Sequence, residues 1–274
     1  MTKTFRHYAA AILASLGFAL PASATTFSID YTDLWYNAPV QAGIESEPGW
    51  GVNVIQQSEI IFATLFVYGT DGTPRWYVGP STASNGANSF TGLLYSTTGT
   101  YFGTGWTGSG FIQAGTITFG FTSATTGTLS YTVGNVTVTK NIVRQSWRND
   151  VLTGNYIGGT TARGPSSCGD DILISGELRV THSSPSISMI VTFVSGAGQL
   201  GTCTYSGTYS QVGSIGAITG GSFNCTIGGV SNALFGTYSI AEITNSRNGF
   251  NGRLTHQDQF CTYTGFFGGI KDVI

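Results

Sequence analysis

The stretch TITFGFTSATTGTLSYTV, residues 116–133, alternates apolar side chains with threonine and serine. The apolar positions on either side of the short segment SATTG share one phase: Ile117, Phe119, Phe121, Leu129, Tyr131 and Val133. Alternation with period two is typical of antiparallel strands that bury one face and expose the other to water. The short break between the two runs is typical of a hairpin. The stretch therefore predicts an all-β protein.

The composition agrees with this fold class. Charged residues make up 9% of the chain, aromatic residues 13%, and there are 40 glycines. Disordered chains combine low hydrophobicity with high net charge, so they are excluded. Further alternating runs cover residues 172–180 and 187–193, and glycine-containing turns follow at short intervals. Regularly spaced short strands indicate up-and-down barrels or sandwiches.

Two residue types divide the chain into two β domains. All five tryptophans lie in the first part, at Trp35, Trp50, Trp76, Trp106 and Trp147. All four cysteines lie in the second part, at Cys168, Cys203, Cys225 and Cys261. The sequence predicts a boundary near RNDVLTGN, residues 148–155. This boundary gives a Trp-rich domain over 25–148 and a Cys-containing domain over 149–274.

The first residues, MTKTFRHYAAAILASLGFALPASA, predict a signal peptide over residues 1–24. Two basic residues precede a short apolar run, and Ala22-Ser23-Ala24 matches a cleavage site. A bilayer-spanning helix needs about 20 apolar residues, so no transmembrane segment is expected in the mature chain. The expected location is secreted or periplasmic in a bacterium, or attached at the cell surface.

Charge argues against nucleic acid as a partner. Cleavage after Ala24 removes Lys3 and Arg6 from the 11 basic residues and none of the 13 acidic ones, so the net charge changes from −2 to −4. Binding to phosphates needs clustered Lys and Arg.

The four cysteines predict two disulfides, because an exported chain enters an oxidising compartment and no CxxC spacing occurs. Four cysteines permit three connectivities. The spacing favours Cys203–Cys225 on adjacent strands and, by elimination, Cys168–Cys261 between the first and last strands of the domain. A zinc site is the less favoured alternative, and no other metal or cofactor is predicted.

Candidate catalytic groups are scarce. The mature chain contains His182 and His256, both near predicted strand ends, where a solvated turn histidine is the common case. Asp258 lies two residues after His256, but no G-x-S-x-G motif accompanies them. Two pairs of carboxylates lie in loop-like segments, at Glu45/Glu47 and Asp170/Asp171. No catalytic residue is predicted, and an enzyme is the less favoured interpretation.

One predicted strand, IIFATLFVY at residues 60–68, is apolar in both phases. It leads into a predicted turn at Asp71-Gly72. Three explanations are open: the second domain covers the outer face, the barrel faces lipid, or the outer face is an exposed aromatic binding surface. The threonine and serine face of residues 115–142 disfavours a lipid-facing barrel.

The aromatic residues supply the candidate ligand site. Tryptophan and tyrosine offer flat apolar faces with a polar rim, which suit stacking on sugars or enclosing a small ligand in a barrel mouth. The predicted set combines three tryptophans with two amides: Trp35, Trp50, Asn53, Gln57 and Trp76. The alternative is that these tryptophans belong to the core.

The segments DLWYN, PGWGVNVIQQSEIIFATLFVY and GTPRWYVG resemble a module that recurs in predicted secreted proteins of proteobacteria. The module has the pattern W-x-N, GWGVN with Gln-Gln, AT-x-FVY and G-x-P-x-WY, and the resemblance covers residues 33–145. The Cys-bearing half resembles a segment often found after that module. This chain differs by inserting APVQAGIE before SEPGWG. The resemblance implies an exported bacterial β-protein and supplies no catalytic residues.

Together these features predict an exported, non-enzymatic protein that binds a glycan or a small apolar molecule. A structural or adhesive surface protein is the alternative, and a secreted hydrolase is the third interpretation.

Overall fold

The chain folds into two antiparallel β domains, and each is a closed barrel of eight strands. The computed structural model describes residues 29–37, 46–84, 88–169 and 171–272. The predicted signal peptide lies outside these ranges. The all-β prediction is confirmed, and both domains are barrels. Across the described ranges, no helix has the length and apolar character needed to cross a membrane.

In the first barrel each strand pairs with the next, and the last pairs with the first. Its strands are β1 (Asp33–Asn37), β2 (Gly51–Gln57), β3 (Ile60–Tyr68), β4 (Pro74–Ser84), β5 (Ser89–Gly99), β6 (Ser109–Phe121), β7 (Thr126–Val133) and β8 (Val136–Arg144).

The second barrel has the same up-and-down order and closes by pairing its last strand with its first. Its strands are β9 (Gly154–Arg163), β10 (Ile172–Ser183), β11 (Ser186–Val194), β12 (Leu200–Val212), β13 (Ile215–Ile227), β14 (Val230–Ser246), β15 (Gly249–Asp258) and β16 (Thr262–Lys271). Residues 145–153 connect the two barrels.

The alternation predicted for β6 and β7 is confirmed. Ile117, Phe119 and Leu129 are fully buried inside the first barrel. The hydroxyl side chains face outward and bond across strands, as in the Thr116–Thr132 pair at 3.1 Å. The same hydroxyl pattern continues onto β8.

Two disulfides stabilise the second barrel, and the predicted pairing is confirmed. Cys203 and Cys225 are directly opposite each other on β12 and β13, with Cα atoms 4.0 Å apart. Cys168, just after β9, bonds to Cys261, just before β16, and so joins the first strand to the last. Two such bonds indicate an oxidising, extracytoplasmic environment.

A buried arginine connects the barrels. Arg144 ends β8, is 1% exposed, and donates to Asp33 Oδ2 at 3.1 Å and to Ser214 Oγ at 3.2 Å. Asp33 Oδ2 also accepts the Ser214 backbone N–H at 2.8 Å. Gly213, at φ +62°, leaves no room for a side chain, because a Cβ would lie 2.4 Å from the Arg144 Cβ. The β12–β13 turn therefore packs against the end of β8 at Arg144, next to the connection between the barrels.

Candidate ligand-binding site

The outer side of β2, β3 and β4 carries a continuous set of apolar side chains, which we call the aromatic face. Its members are each between 39% and 53% exposed: Ile55, Ile60, Phe62, Phe66, Tyr68 and Trp76. Phe66 lies directly opposite Trp76 in the ladder. The opposite phase of β3, represented by Leu65, is fully buried in the core. Both phases of β3 are apolar because one faces the core and the other forms this surface.

Of the three explanations that the sequence leaves open, cover by the second domain is wrong. The contacts between the barrels described above lie around Arg144, at the far end of β8 from Val136. The rings of the aromatic face remain exposed although the second barrel is present. Large exposed apolar surfaces on soluble proteins mark interaction sites. The aromatic face is therefore a candidate contact surface.

A cavity of about 460 Å³ opens at the end of the first barrel where the β3–β4 and β7–β8 turns lie. We call it the mouth. It is lined mainly by valines and tyrosines: Val67, Tyr68, Gly69, Thr70, Arg75, Tyr77, Tyr131, Val133, Val136 and Val138. Several of these residues pack against the buried core beneath. Because Tyr68 belongs to both features, the mouth and the aromatic face are contiguous.

The only charges that line the mouth among the described residues belong to a paired group at its rim. Arg75 donates to Asp71 at 3.0 Å. Hydrogen bonds from the Thr73 hydroxyl and backbone N–H, together with Arg75, lower the pKa of Asp71 to about 2. Gly72, at φ +73°, completes the predicted turn. The rim is therefore electrically neutral and the cavity wall is apolar.

Two of the predicted site residues lie inside the barrel. Trp35 is fully buried, and its Nε1 donates to the Tyr31 carbonyl at 3.0 Å. Trp50 is 8% exposed, and its Nε1 donates to the Tyr131 hydroxyl at 3.1 Å. Lys140 lies over the Trp50 ring at 5.6 Å. Trp50 thus positions the mouth residue Tyr131 through a hydrogen bond from the barrel interior. Trp35 packs in the core beside Arg144.

The other three predicted residues face outward. Asn53 lies opposite Thr64, one outward row away from the Phe66–Trp76 pair. Gln57 lies opposite Ile60 at the other end of β3. Trp76 on β4 and Asn53 on β2 therefore face the same side of the sheet with β3 between them, and the structure does not bring the five residues into one cluster.

Sequence reasoning missed the mouth as a site. Tyr131 and Val133 were assigned to the inner face of their strand, which is correct, but they lie at its open end. Tyr77 is inward-facing on β4 in the same way. The sequence does contain a signal for the mouth. An inward-facing aromatic residue or valine lies next to a turn, and this pattern occurs on strands that are far apart in the chain.

Both histidines are buried, so the expectation of solvated turn histidines is wrong. His182 is 9% exposed and His256 is fully buried, because each lies in the inward phase of its strand. Within the described residues neither ring nitrogen of His256 has a hydrogen-bond partner, and the ring stacks on Phe223 at 3.9 Å. Burial lowers the pKa of His256 to about 4. The ring is therefore neutral at pH 7.

Asp258 does not orient His256. Its carboxylate accepts the backbone N–H groups of Phe260 at 2.8 Å and Cys261 at 2.7 Å, which shapes the turn before β16. A catalytic triad needs the acid to hold the imidazole through a hydrogen bond. The geometry of the pair does not provide one.

One member of each acidic pair singled out in the sequence forms an ion pair with a basic residue. Glu47 contacts Lys140 at 2.5 Å, and Asp171 contacts Arg163 at 3.2 Å. Glu45 and Asp170 lie outside the described residues. In the part of the chain that the structure describes, no three His, Cys, Asp or Glu residues are grouped as metal ligands.

Comparison with models of known protein families finds no match to this chain, and comparison with curated proteins finds none either.

Proposed function

We propose that this is an exported, non-enzymatic binding protein that takes a small apolar or amphipathic molecule into the mouth of its first barrel. The observation that carries the proposal is the cavity of about 460 Å³, walled by valines and tyrosines. Ligand sites in proteins are typically concave and mostly apolar, with few polar groups, and barrel mouths are a common location.

The polar atoms at this mouth suit an amphipathic ligand. The Tyr77 and Tyr131 rings flank the apolar wall, while Tyr68 and the Arg75–Asp71 pair stand at the rim. An apolar body would displace water from the valines, and a polar head would remain at the rim. Each buried methylene contributes about 0.8 kcal/mol to such binding.

A glycan is the second candidate, and the Phe66–Trp76 pair favours it. Trp76 is 53% exposed, and Asn53 faces the same side of the sheet from β2, with β3 between the two residues. Exposed rings beside amide groups are suited to stacking on sugars and hydrogen-bonding their hydroxyls. Such a ligand would lie along the aromatic face rather than enter the cavity.

Blocking the mouth tests the first candidate. Val138→Phe places a larger side chain in the cavity, and we expect it to weaken binding of the fluorescent probe 1-anilinonaphthalene-8-sulfonate at least tenfold. Val194→Phe is the matched control, since Val194 is 68% exposed on the second barrel. Circular dichroism establishes that both variants remain folded.

Unchanged probe binding by Val138→Phe would contradict the proposed mouth site. Absence of probe binding to the wild type would also contradict it and favour the structural or adhesive interpretation. The export step is tested separately: the mature chain is expected to begin at Thr25, which intact mass measures.

A further inference from the structure

The hairpin formed by β5 and β6 extends beyond the first barrel. On the barrel side, β5 pairs with β4 up to Tyr95, and β6 pairs with β7 from Ile117 onward. Beyond these points, residues 96–99 pair with residues 109–112 of the same hairpin. We call residues 96–112 the arm.

The arm ends in large apolar side chains that face water. Phe102, at its apex, is 93% exposed, and Trp106 is 72% exposed. Phe111, nearer the barrel, is 74% exposed and contacts the Tyr95 ring edge to face at 5.6 Å. Every residue from 101 to 113 is exposed. None of these residues lines the mouth or belongs to the aromatic face.

The arm carries no charge. The sequence contains no Asp, Glu, Lys, Arg or His between Arg75 and Lys140, a stretch that includes the whole arm. Protein interfaces are typically enriched in arginine and surrounded by polar and charged residues. The arm instead combines aromatic rings with threonine and glycine, and charge desolvation would not oppose its removal from water.

Hydrogen bonds inside the apex satisfy many of its polar groups. Thr100 Oγ1 accepts the backbone N–H groups of Thr107 at 2.9 Å and Gly108 at 3.1 Å. The hydroxyl and backbone N–H of Thr104 both donate to the Tyr101 carbonyl. Backbone groups that enter a lipid environment must be satisfied internally, because no water is available there. The apex thus presents rings outward, and the polar groups of Thr100 and Thr104 are bonded within it.

We propose that the arm docks the protein onto a lipid bilayer, with the rings of Phe102 and Trp106 in the interfacial region. Tryptophan and tyrosine concentrate at this depth in membrane proteins because their rings are apolar and their edges are polar. An uncharged arm derives its affinity from buried apolar area, so it does not require anionic lipid. This inference does not depend on any ligand in the mouth.

Co-sedimentation of the purified protein with phosphatidylcholine vesicles tests the proposal. We expect the wild type to bind and the double variant Phe102→Ser/Trp106→Ser to partition at least tenfold more weakly, because the variant removes the two large apolar rings whose burial drives binding. Phe260→Ser is the matched control, since Phe260 is 87% exposed in a turn of the second barrel. That control is expected to bind vesicles within about twofold of the wild type.

Two outcomes would overturn membrane docking. The first is that the wild type does not bind phosphatidylcholine vesicles; if sedimentation velocity then shows self-association that the double variant abolishes, the arm is an interface between two copies of this chain. The second is that the double variant binds as well as the wild type, while circular dichroism shows that both are folded.

Discussion

The two barrels share strand number and connection order but differ in how they are stabilised and in what they show to solvent. The second barrel contains both disulfides and the buried ring of His256. The first barrel contains no cysteine and instead exposes its aromatic face, mouth and arm. The difference teaches that the same eight-stranded barrel order can be stabilised with or without disulfides. Both barrels leave large apolar side chains exposed, such as Trp76 on the first and Leu173 on the second.

Loss of a disulfide should give the largest difference between the barrels. The Cys168–Cys261 bond closes a separation of 93 residues. Replacing both cysteines by alanine is expected to lower the free energy of unfolding of the second barrel by about 4–5 kcal/mol. Hydrogen exchange resolves the two barrels, and tryptophan emission reports the first one, because no tryptophan follows Trp147. An equal loss in both barrels would contradict separate stabilisation.

Lowering the pH should reduce the free energy of unfolding of the second barrel more than that of the first, because the described histidines both lie in the second barrel. The pKa of His256 is about 4 in the folded state, below the ordinary value of 6.5. The unfolded chain therefore binds the proton more tightly, so the stabilisation is complete above pH 6.5 and falls as the pH drops toward 4. The expected loss in free energy of unfolding from this residue is about 3 kcal/mol between pH 7 and pH 4.

The variant His256→Phe sharpens this prediction, since a phenylalanine ring keeps the stacking position on Phe223 and does not titrate. Denaturant unfolding at several pH values measures the difference between wild type and variant. The burial of His182 lowers its pKa as well, and this contribution is present in both proteins. Equal pH dependence in the two proteins would show that His256 is not a buried neutral ring.

Trp76→Ala should have the smallest effect on folding. Trp76 is 53% exposed and packs on the outside of the first barrel, so we expect the free energy of unfolding to change by about 0.5 kcal/mol or less. If a glycan binds the aromatic face, the same variant weakens that binding, which a glycan array measures. Phe266→Ala is the control on the second barrel, where Phe266 is 57% exposed. Unfolding of the first barrel by Trp76→Ala would identify the residue as core.

Local patterns predicted the strands and disulfides well, because these depend on neighbouring residues and on phase. The alternation of Ile117 and Phe119 with threonine is enough to orient β6 in its barrel. Cys203 and Cys225 share the inward phase of paired strands, so their pairing follows from register. The phase that His256 shares with the buried Leu254 indicates its burial, and this phase decides its environment although His256 lies near the end of its strand.

The mouth and the arm depend on features that no single strand displays. Closing the barrel brings the turn after Tyr68 close to the turn after Val133, and the alternation within each strand does not encode that proximity. The arm exists because β5 and β6 are longer than β7: they have 11 and 13 residues, and β7 has 8. Residue type alone favours Trp35 and Trp50 as ligand contacts, whereas the phase that Trp50 shares with the buried Val52 indicates the core.

Hydrogen exchange of the whole protein, with and without 1-anilinonaphthalene-8-sulfonate, tests most directly the claim that the first barrel makes contacts while the second supports it. Binding in the mouth should slow exchange around residues 67–77 and 131–138, which contain the mouth residues. Exchange in the second barrel should not change. Slowed exchange confined to the second barrel, or no change in the first, would contradict the account.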